Sequence, residues 1–119
     1  MTDARQLLLR AYRDFNDRNI DAVLSFMHPD IEWANGMEGG HVHGKEAVRA
    51  YWTRQFAMLD PHVEPLRIDQ AGDGQFRVEV HQVVRDLSGN LILDTVVFHS
   101  YRIRDGLIVR MDIIHPAPA

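Results

Sequence analysis

The spacing of apolar residues changes once along this chain of 119 residues, at Pro61. Before Pro61, apolar residues recur every three or four positions, which is typical of helices that bury one face. After Pro61 they alternate with polar residues, which is typical of strands that bury one face. Helices followed by a run of strands predict an α+β domain, with three N-terminal helices packed on a curved, mainly antiparallel sheet.

Three segments carry the helical spacing. The first is predicted over residues 3–17, and the second follows a capping Asn19 and stops at Pro29. The third begins at Gly44 and ends at Pro61, and residues 31–36 before it are predicted to be extended. The apolar stripes of the three helices are, in order, Leu7, Leu8, Ala11, Tyr12 and Phe15; Ile20, Val23, Leu24 and Met27; and Val48, Tyr51, Trp52, Gln55, Phe56 and Leu59.

Four strands are predicted over residues 63–71, 76–86, 91–104 and 107–115. The segments between them are typical of turns, and Asp105-Gly106 is a strong hairpin signal. A sheet that curves over helices leaves a pocket on its concave face, and small-molecule sites commonly lie in such a pocket.

Composition excludes several classes of protein. The chain has no cysteine, which rules out a disulfide scaffold and cysteine-ligated metal. Its net charge is −4 with the signs interspersed, which argues against nucleic acid as a partner. No apolar run is long enough for a membrane span, and the N-terminus lacks a signal-peptide core. We therefore expect one cytoplasmic domain over residues 1–119, without a membrane partner.

Several segments resemble a known superfamily. They read NIDAVLSFMHPDIEW, HGKEAVRAYW, FRVEV and YRIRDGLIVRMDI. Together with the order of elements, they make the chain similar to SnoaL-like members of the nuclear transport factor 2-like, or ketosteroid-isomerase-like, superfamily, from about Leu8 to His115. The resemblance implies a cone-shaped α+β barrel around an apolar pocket, and a homodimer through the outer face of the sheet. This fold hosts isomerases, cyclases, epoxide hydrolases, dehydratases and non-catalytic binding modules, so it leaves the activity open.

The chain departs from the steroid isomerases of this superfamily at all three of their catalytic positions. The tyrosine of the first helix is replaced by Ala11, with Tyr12 one residue away and turned about 100° around the helix. The general-base aspartate of the first strand is replaced by Trp33, and the protonated aspartic acid of a late strand by His99. Steroid isomerisation through the familiar residues is therefore not expected.

Alignment with the superfamily directs one face of the late strands into the pocket. The candidate catalytic residues are His99, His115 and Tyr101. The candidate substrate-binding residues are Trp33, Asn35, Trp52, Phe56, Phe76, Val78, Met111 and Ile113.

We expect a hydrophobic ligand that bears a carbonyl, hydroxyl or epoxide, with no cofactor and no metal. His99, assisted by His115 and Tyr101, would polarise or deprotonate it, because a histidine of near-neutral pKa can act as base or donor. The enzyme would then be an isomerase, cyclase, dehydratase or hydrolase. In the alternative both histidines are core residues, and the chain is a non-catalytic ligand-binding or dimerisation module.

Two further features allow a functional and a structural interpretation. His41 and His43 share a strand face, as metal ligands can, but a third ligand is not apparent, which favours a loop at the pocket mouth. The glycines around them suggest a flexible cover over the pocket. Alternation places Glu79, His81 and Asp112 on the outer sheet face, where Asp112 and Arg110 are expected to form an ion pair.

Overall fold

The computed structural model describes residues 3–114 and confirms the α+β class. Its helices are α1 (Ala4–Asn16), α2 (Ile20–Ser25) and α3 (Lys45–Met58). Its strands are β1 (Met27–Ala34), β2 (His41–His43), β3 (Leu59–Gly72), β4 (Gln75–Asp86), β5 (Leu91–Arg104) and β6 (Leu107–Ile114). The strands form one sheet of six in the order β2-β1-β6-β5-β4-β3, and only the β1–β6 pair is parallel among these described strands.

The first two helices begin at side-chain caps. The Asp3 carboxylate accepts a hydrogen bond of 2.9 Å from the Arg5 amide, and the Asn19 side chain accepts one of 3.2 Å from the Ala22 amide. These bonds satisfy backbone donors that lack partners in the first turn of a helix. Asn19 thus caps the second helix, as predicted.

The second helix is shorter than its apolar stripe predicts. It ends at Ser25, and Met27 begins β1 instead of the last turn of the helix. Met27 is fully buried and pairs with Ile108 of β6, whose amide donates to the Phe26 carbonyl. Pairing with a strand from the far end of the chain therefore overrides the local helical spacing.

The strand after α3 begins earlier than predicted and includes Pro61. It starts at Leu59, and Pro61 is paired with Val84 of β4. A proline cannot donate to a second neighbour, but β3 lies at the edge of the sheet and has only β4 beside it among the described strands. The edge position therefore explains why the strand tolerates Pro61.

The core lies between the helices and the concave face of the sheet. It combines buried residues of α1 and α3 with buried residues of all long strands, including Leu8, Val48, Trp52, Ile31, Val78, Val97 and Ile108. No helix within residues 3–114 is both long enough and apolar enough to cross a membrane. The helices cover only part of the concave face, and the remainder is open to the cavity described next.

Candidate functional site

A cavity of about 720 Å³ lies between the helices and the concave face of the sheet. Its size falls in the range of pockets that hold drug-sized ligands. Aromatic side chains supply much of the wall, namely Tyr12, Phe15, Trp33, Tyr51, Trp52, His99 and Tyr101. The wall is therefore suited to the flat faces of ring compounds.

Most of the residues expected in the pocket lie along this cavity. They are Trp33, Asn35, Trp52, His99, Tyr101, Met111 and Ile113. His115, expected as a catalytic residue, lies outside the residues that the structure describes.

Three expected binding residues, Phe56, Phe76 and Val78, do not line the cavity. Phe76 and Val78 share the concave face of β4 with the lining residue Val84, but both are buried in the hydrophobic core. Phe56 packs against Phe15 with ring centroids 5.2 Å apart and lies under the Arg18 guanidinium. Their assignment to the ligand site stays a prediction, although none of the three lines the cavity.

A chain of hydrogen bonds connects α1 with β5 at the cavity. The Tyr101 hydroxyl donates to the Tyr12 hydroxyl over 2.8 Å, and the Tyr12 oxygen lies 2.8 Å from Nδ1 of His99. The direction of the second bond follows from the network, since a Tyr12 oxygen that accepts from Tyr101 can donate its own hydrogen to Nδ1. That assignment places the remaining imidazole hydrogen on Nε2.

Nε2 of His99 is available to a ligand in the cavity. Within residues 3–114 Nε2 has no hydrogen-bond partner, whereas every buried side-chain nitrogen and oxygen in this part of the chain has one. Nε2 is therefore accessible from the cavity, which His99 lines. A neutral imidazole held in this way presents one N–H donor.

Burial decides the charge state of these three groups. It lowers the pKa of His99 to about 4 from 6.5, because the charged imidazolium is poorly solvated in the interior. Burial also raises the pKa of Tyr12 and of Tyr101. All three are neutral at pH 7, so His99 is suited to polarise a carbonyl as a donor and poorly suited to remove a proton as a base.

Tyr12 is the site residue that the superfamily alignment missed. The alignment placed Ala11 at the position of the isomerase tyrosine, yet both Ala11 and Tyr12 line the cavity, and Tyr12 holds His99. The available signal was the position of Tyr12 in the apolar stripe of the first helix, because a buried tyrosine hydroxyl usually has a hydrogen-bond partner.

The glycine-rich segment after β1 also lines the cavity, and Asn35 organises its backbone. The Asn35 side-chain oxygen accepts hydrogen bonds from the amides of Met37 and Glu38, at 3.0 and 2.9 Å. The Gly36 amide donates to the Tyr51 hydroxyl at 3.1 Å, which joins the segment to α3. The side-chain oxygen of Asn35 is thus used within the loop, whereas its NH2 group forms no hydrogen bond within residues 3–114.

Charged residues of β1, β2 and β6 form a network, of which His41 and Asp112 also border the cavity. His41 Nε2 lies 2.8 Å from the Asp112 carboxylate, which also accepts hydrogen bonds of 2.8 and 3.1 Å from Arg110. Arg110 also pairs with Glu32, and Nδ1 of His43 lies 3.7 Å from Glu32. The hydrogen bond from Arg110, together with that from His41, lowers the pKa of Asp112.

The charged network concerns two expectations from the sequence, namely the Arg110–Asp112 ion pair and the interpretation of His41 and His43 as metal ligands. The expected Arg110–Asp112 ion pair is present, but Asp112 also reaches the cavity lining and does not belong to the outer face alone. Within residues 3–114, no group of three or more metal-ligating side chains is arranged to hold an ion, and His41 and His43 have carboxylate partners.

The family described as SnoaL-like domain matches residues 8–111 of the chain. Among solved structures, TerC co-crystallised with polyporic acid is 28% identical, with a TM-score of 0.82 over 95% of this chain and 91% of that one. A nuclear transport factor 2-like protein from Burkholderia pseudomallei is 22% identical, with a TM-score of 0.84 over 98% and 92%.

A Mycobacterium tuberculosis protein in complex with estradiol-17beta-hemisuccinate is 18% identical, with a TM-score of 0.78 over 91% of this chain and 89% of that one. No curated protein sequence matches this chain. The Burkholderia pseudomallei and Mycobacterium tuberculosis proteins share the fold of this chain. The family match covers nearly all of the residues that the structure describes.

Proposed function

This chain belongs to the SnoaL-like domain family, and we propose that its cavity binds a hydrophobic ring compound through a carbonyl or hydroxyl oxygen. The rings of the ligand lie against Trp33 and Trp52, and its oxygen accepts a hydrogen bond from Nε2 of His99. Solved structures of the same fold that contain polyporic acid or an estradiol ester support a ring compound as the ligand.

The observation that carries the proposal is the fixed orientation of His99. Tyr101 and Tyr12 hold Nδ1, so the imidazole cannot turn away from the cavity without breaking a buried hydrogen bond. Losing such a bond leaves a buried polar group unsatisfied, at a cost of about 1–3 kcal/mol. A donor fixed in this way binds a carbonyl oxygen and stabilises negative charge that develops on it.

Ligand binding can be followed by fluorescence, because the only two tryptophans of the chain, Trp33 and Trp52, both line the cavity. Polyporic acid and estradiol are suitable first ligands. We expect both to change the fluorescence and His99→Phe to weaken their binding about tenfold, since the ring remains and the donor is lost. His62→Phe, on the exposed edge strand, is the matched control. Absence of binding, or equal affinity for the His99→Phe and native chains, contradicts the proposal.

A second candidate function is an isomerase or cyclase, and the His41–Asp112 pair favours it. Nε2 of His41 lies 2.8 Å from Asp112 and 3.4 Å from the Arg110 guanidinium; if it donates over the shorter distance to Asp112, its Nδ1 keeps a lone pair that can take a proton beside the cavity. A C–H proton of the ligand would pass to Nδ1, and the electron pair of that bond would form an enolate whose oxygen is held by His99. Return of the proton to another carbon gives the isomer.

The spacing of the strands restricts the ligand of such an enzyme. His41 lies on β2 and His99 on β5, three strands away in the sheet, which is about 14 Å between backbones. A conjugated system must therefore connect the acidic C–H bond with the carbonyl. We expect His41→Gln to abolish turnover and to leave binding unchanged, with His43→Gln as the control. Full turnover by His41→Gln excludes this mechanism.

We also propose a homodimer through the convex face of the sheet. Half-buried apolar residues, Val83, Val96 and Phe98, lie on neighbouring positions of β4 and β5 on this face. Charged side chains surround them, among them Glu79, His81 and Asp94, and His81 and Asp94 form an ion pair of 2.7 Å. An apolar centre within a charged rim is typical of protein–protein interfaces.

A further inference from the structure

Gln82 interrupts the apolar face that β4 turns towards the helices. The other residues on this face are Phe76, Val78, Val80 and Val84, and all four are buried. Gln82 is half-buried and lines the cavity, between the cross-strand neighbours Val63 and Thr95. A valine or leucine would fit the strand pattern at this position, so the amide needs another explanation.

The Gln82 amide has no partner within residues 3–114. Its side chain forms no hydrogen bond there, although it can offer two donors and one acceptor oxygen. The described residues beside it on the cavity wall are mainly apolar, including Leu59, Pro61, Val63, Val84 and Leu93. No buried side-chain nitrogen or oxygen within residues 3–114 lacks a partner, so the unpaired Gln82 amide is accessible from the cavity, where a ligand can reach it.

Gln82 and His99 lie at two ends of the same cavity. The cross-strand partner of His99 is Val78, four residues before Gln82 on β4. Strand geometry therefore separates the Cα atoms of His99 and Gln82 by about 14 Å. An oxygen that binds His99 and an oxygen that binds Gln82 therefore belong to different parts of the ligand.

We propose that Gln82 forms a second polar subsite, which binds an oxygen function of the ligand remote from the oxygen that binds Nε2 of His99. One oxygen binds Nε2 of His99, and the other exchanges a hydrogen bond with the Gln82 amide. Gln55 of α3 also lines the cavity and forms no side-chain hydrogen bond within the described residues, so it can assist at this end. This inference rests on the proposed function.

The test compares two compounds that differ only at one end. Estradiol carries an oxygen at each end of its ring system, and its analogue without the hydroxyl group of the five-membered ring carries only the phenol. We expect the native chain to bind estradiol about tenfold more tightly than the analogue, which corresponds to one hydrogen bond. Gln82→Leu should bind both equally, and Gln82→Met is a second variant that keeps the length of the side chain.

Gln6→Leu, the same change at an exposed position of α1, is the control and should keep the tenfold difference. Equal affinity of the native chain for both compounds overturns the second subsite and leaves the proposed function standing. The same conclusion follows if the difference persists in both Gln82 variants. If neither compound binds, the proposed function itself is wrong and this inference falls with it.

Discussion

The Tyr12 hydroxyl lies 2.8 Å from Nδ1 of His99 and joins the first helix to the fifth strand. The two rings are stacked, with centroids 5.8 Å apart and planes inclined by 12°. Tyr101 packs edge-on against both rings and donates to Tyr12. One contact therefore links the stability of the fold with the orientation of the proposed ligand-binding group.

Removing the Tyr12 hydroxyl should destabilise the protein. Tyr12→Phe leaves Nδ1 of His99 and the Tyr101 hydroxyl without their partner in a buried site, and we expect a loss of about 1–3 kcal/mol. Urea denaturation followed by circular dichroism measures the change. Tyr101→Phe, which keeps the Tyr12–His99 bond, should cost less. Equal losses for the two variants would show that this bond contributes nothing of its own.

The stability of the protein should depend on pH through His99. Its pKa in the folded state is about 4, below the ordinary 6.5 that applies when the chain is unfolded. The unfolded chain therefore binds a proton that the folded chain does not, and the free energy of unfolding falls as the pH falls from about 6.5 to 4. The full effect is about 3 kcal/mol. Denaturation at several pH values should show that the free energy of unfolding depends less on pH in His99→Phe than in the native chain. An unchanged dependence on pH would assign the effect to other groups.

Gly74 should not tolerate a side chain. Its φ is +66°, and a Cβ there would lie 2.5 Å from the Ile103 carbonyl oxygen. We expect Gly74→Ala to cost about 1–3 kcal/mol. Gly89 has a φ of +91° with no atom within 4 Å of such a Cβ, so Gly89→Ala controls for the backbone conformation alone and should cost less. A comparison of thermal melting temperatures distinguishes the two contributions.

Phe98→Glu should dissociate the proposed homodimer, because it places a charge at the apolar centre of the convex face. Sedimentation velocity should show the native chain at twice its mass of 13.7 kDa and the variant at that mass. Leu9→Glu changes an exposed leucine on α1, away from the sheet, and should remain dimeric. A native chain that sediments as a monomer contradicts the dimer.

The sequence predicted the fold class because the two apolar periods are local properties of the chain. The same reasoning failed where a distant strand decides the conformation, as at Met27, which pairs with β6 instead of ending a helix. The assignment of Phe76 and Val78 to the ligand site stays a prediction; neither lines the cavity, since alternation identifies the face of a strand but not the part of it that borders the cavity.

The polar side of the cavity was harder to predict. The position of His99 followed from the superfamily resemblance, but its low pKa depends on burial and its orientation depends on Tyr12. These contacts join residues that lie far apart in the sequence. The polar character of Gln82 was visible in the sequence, yet its place on the cavity wall follows only from the curvature of the sheet.

The parallel pairing of β1 with β6 has a consequence for how the protein folds. Trp33 pairs with Met111, so the strand after the first two helices stays without this neighbour until the last strand is available. Contacts between such distant segments slow folding, because a long loop must close before they form. The wall of the cavity that β1 and β6 share is therefore completed only when residues 107–114 are available, which makes the last strand a late requirement for ligand binding.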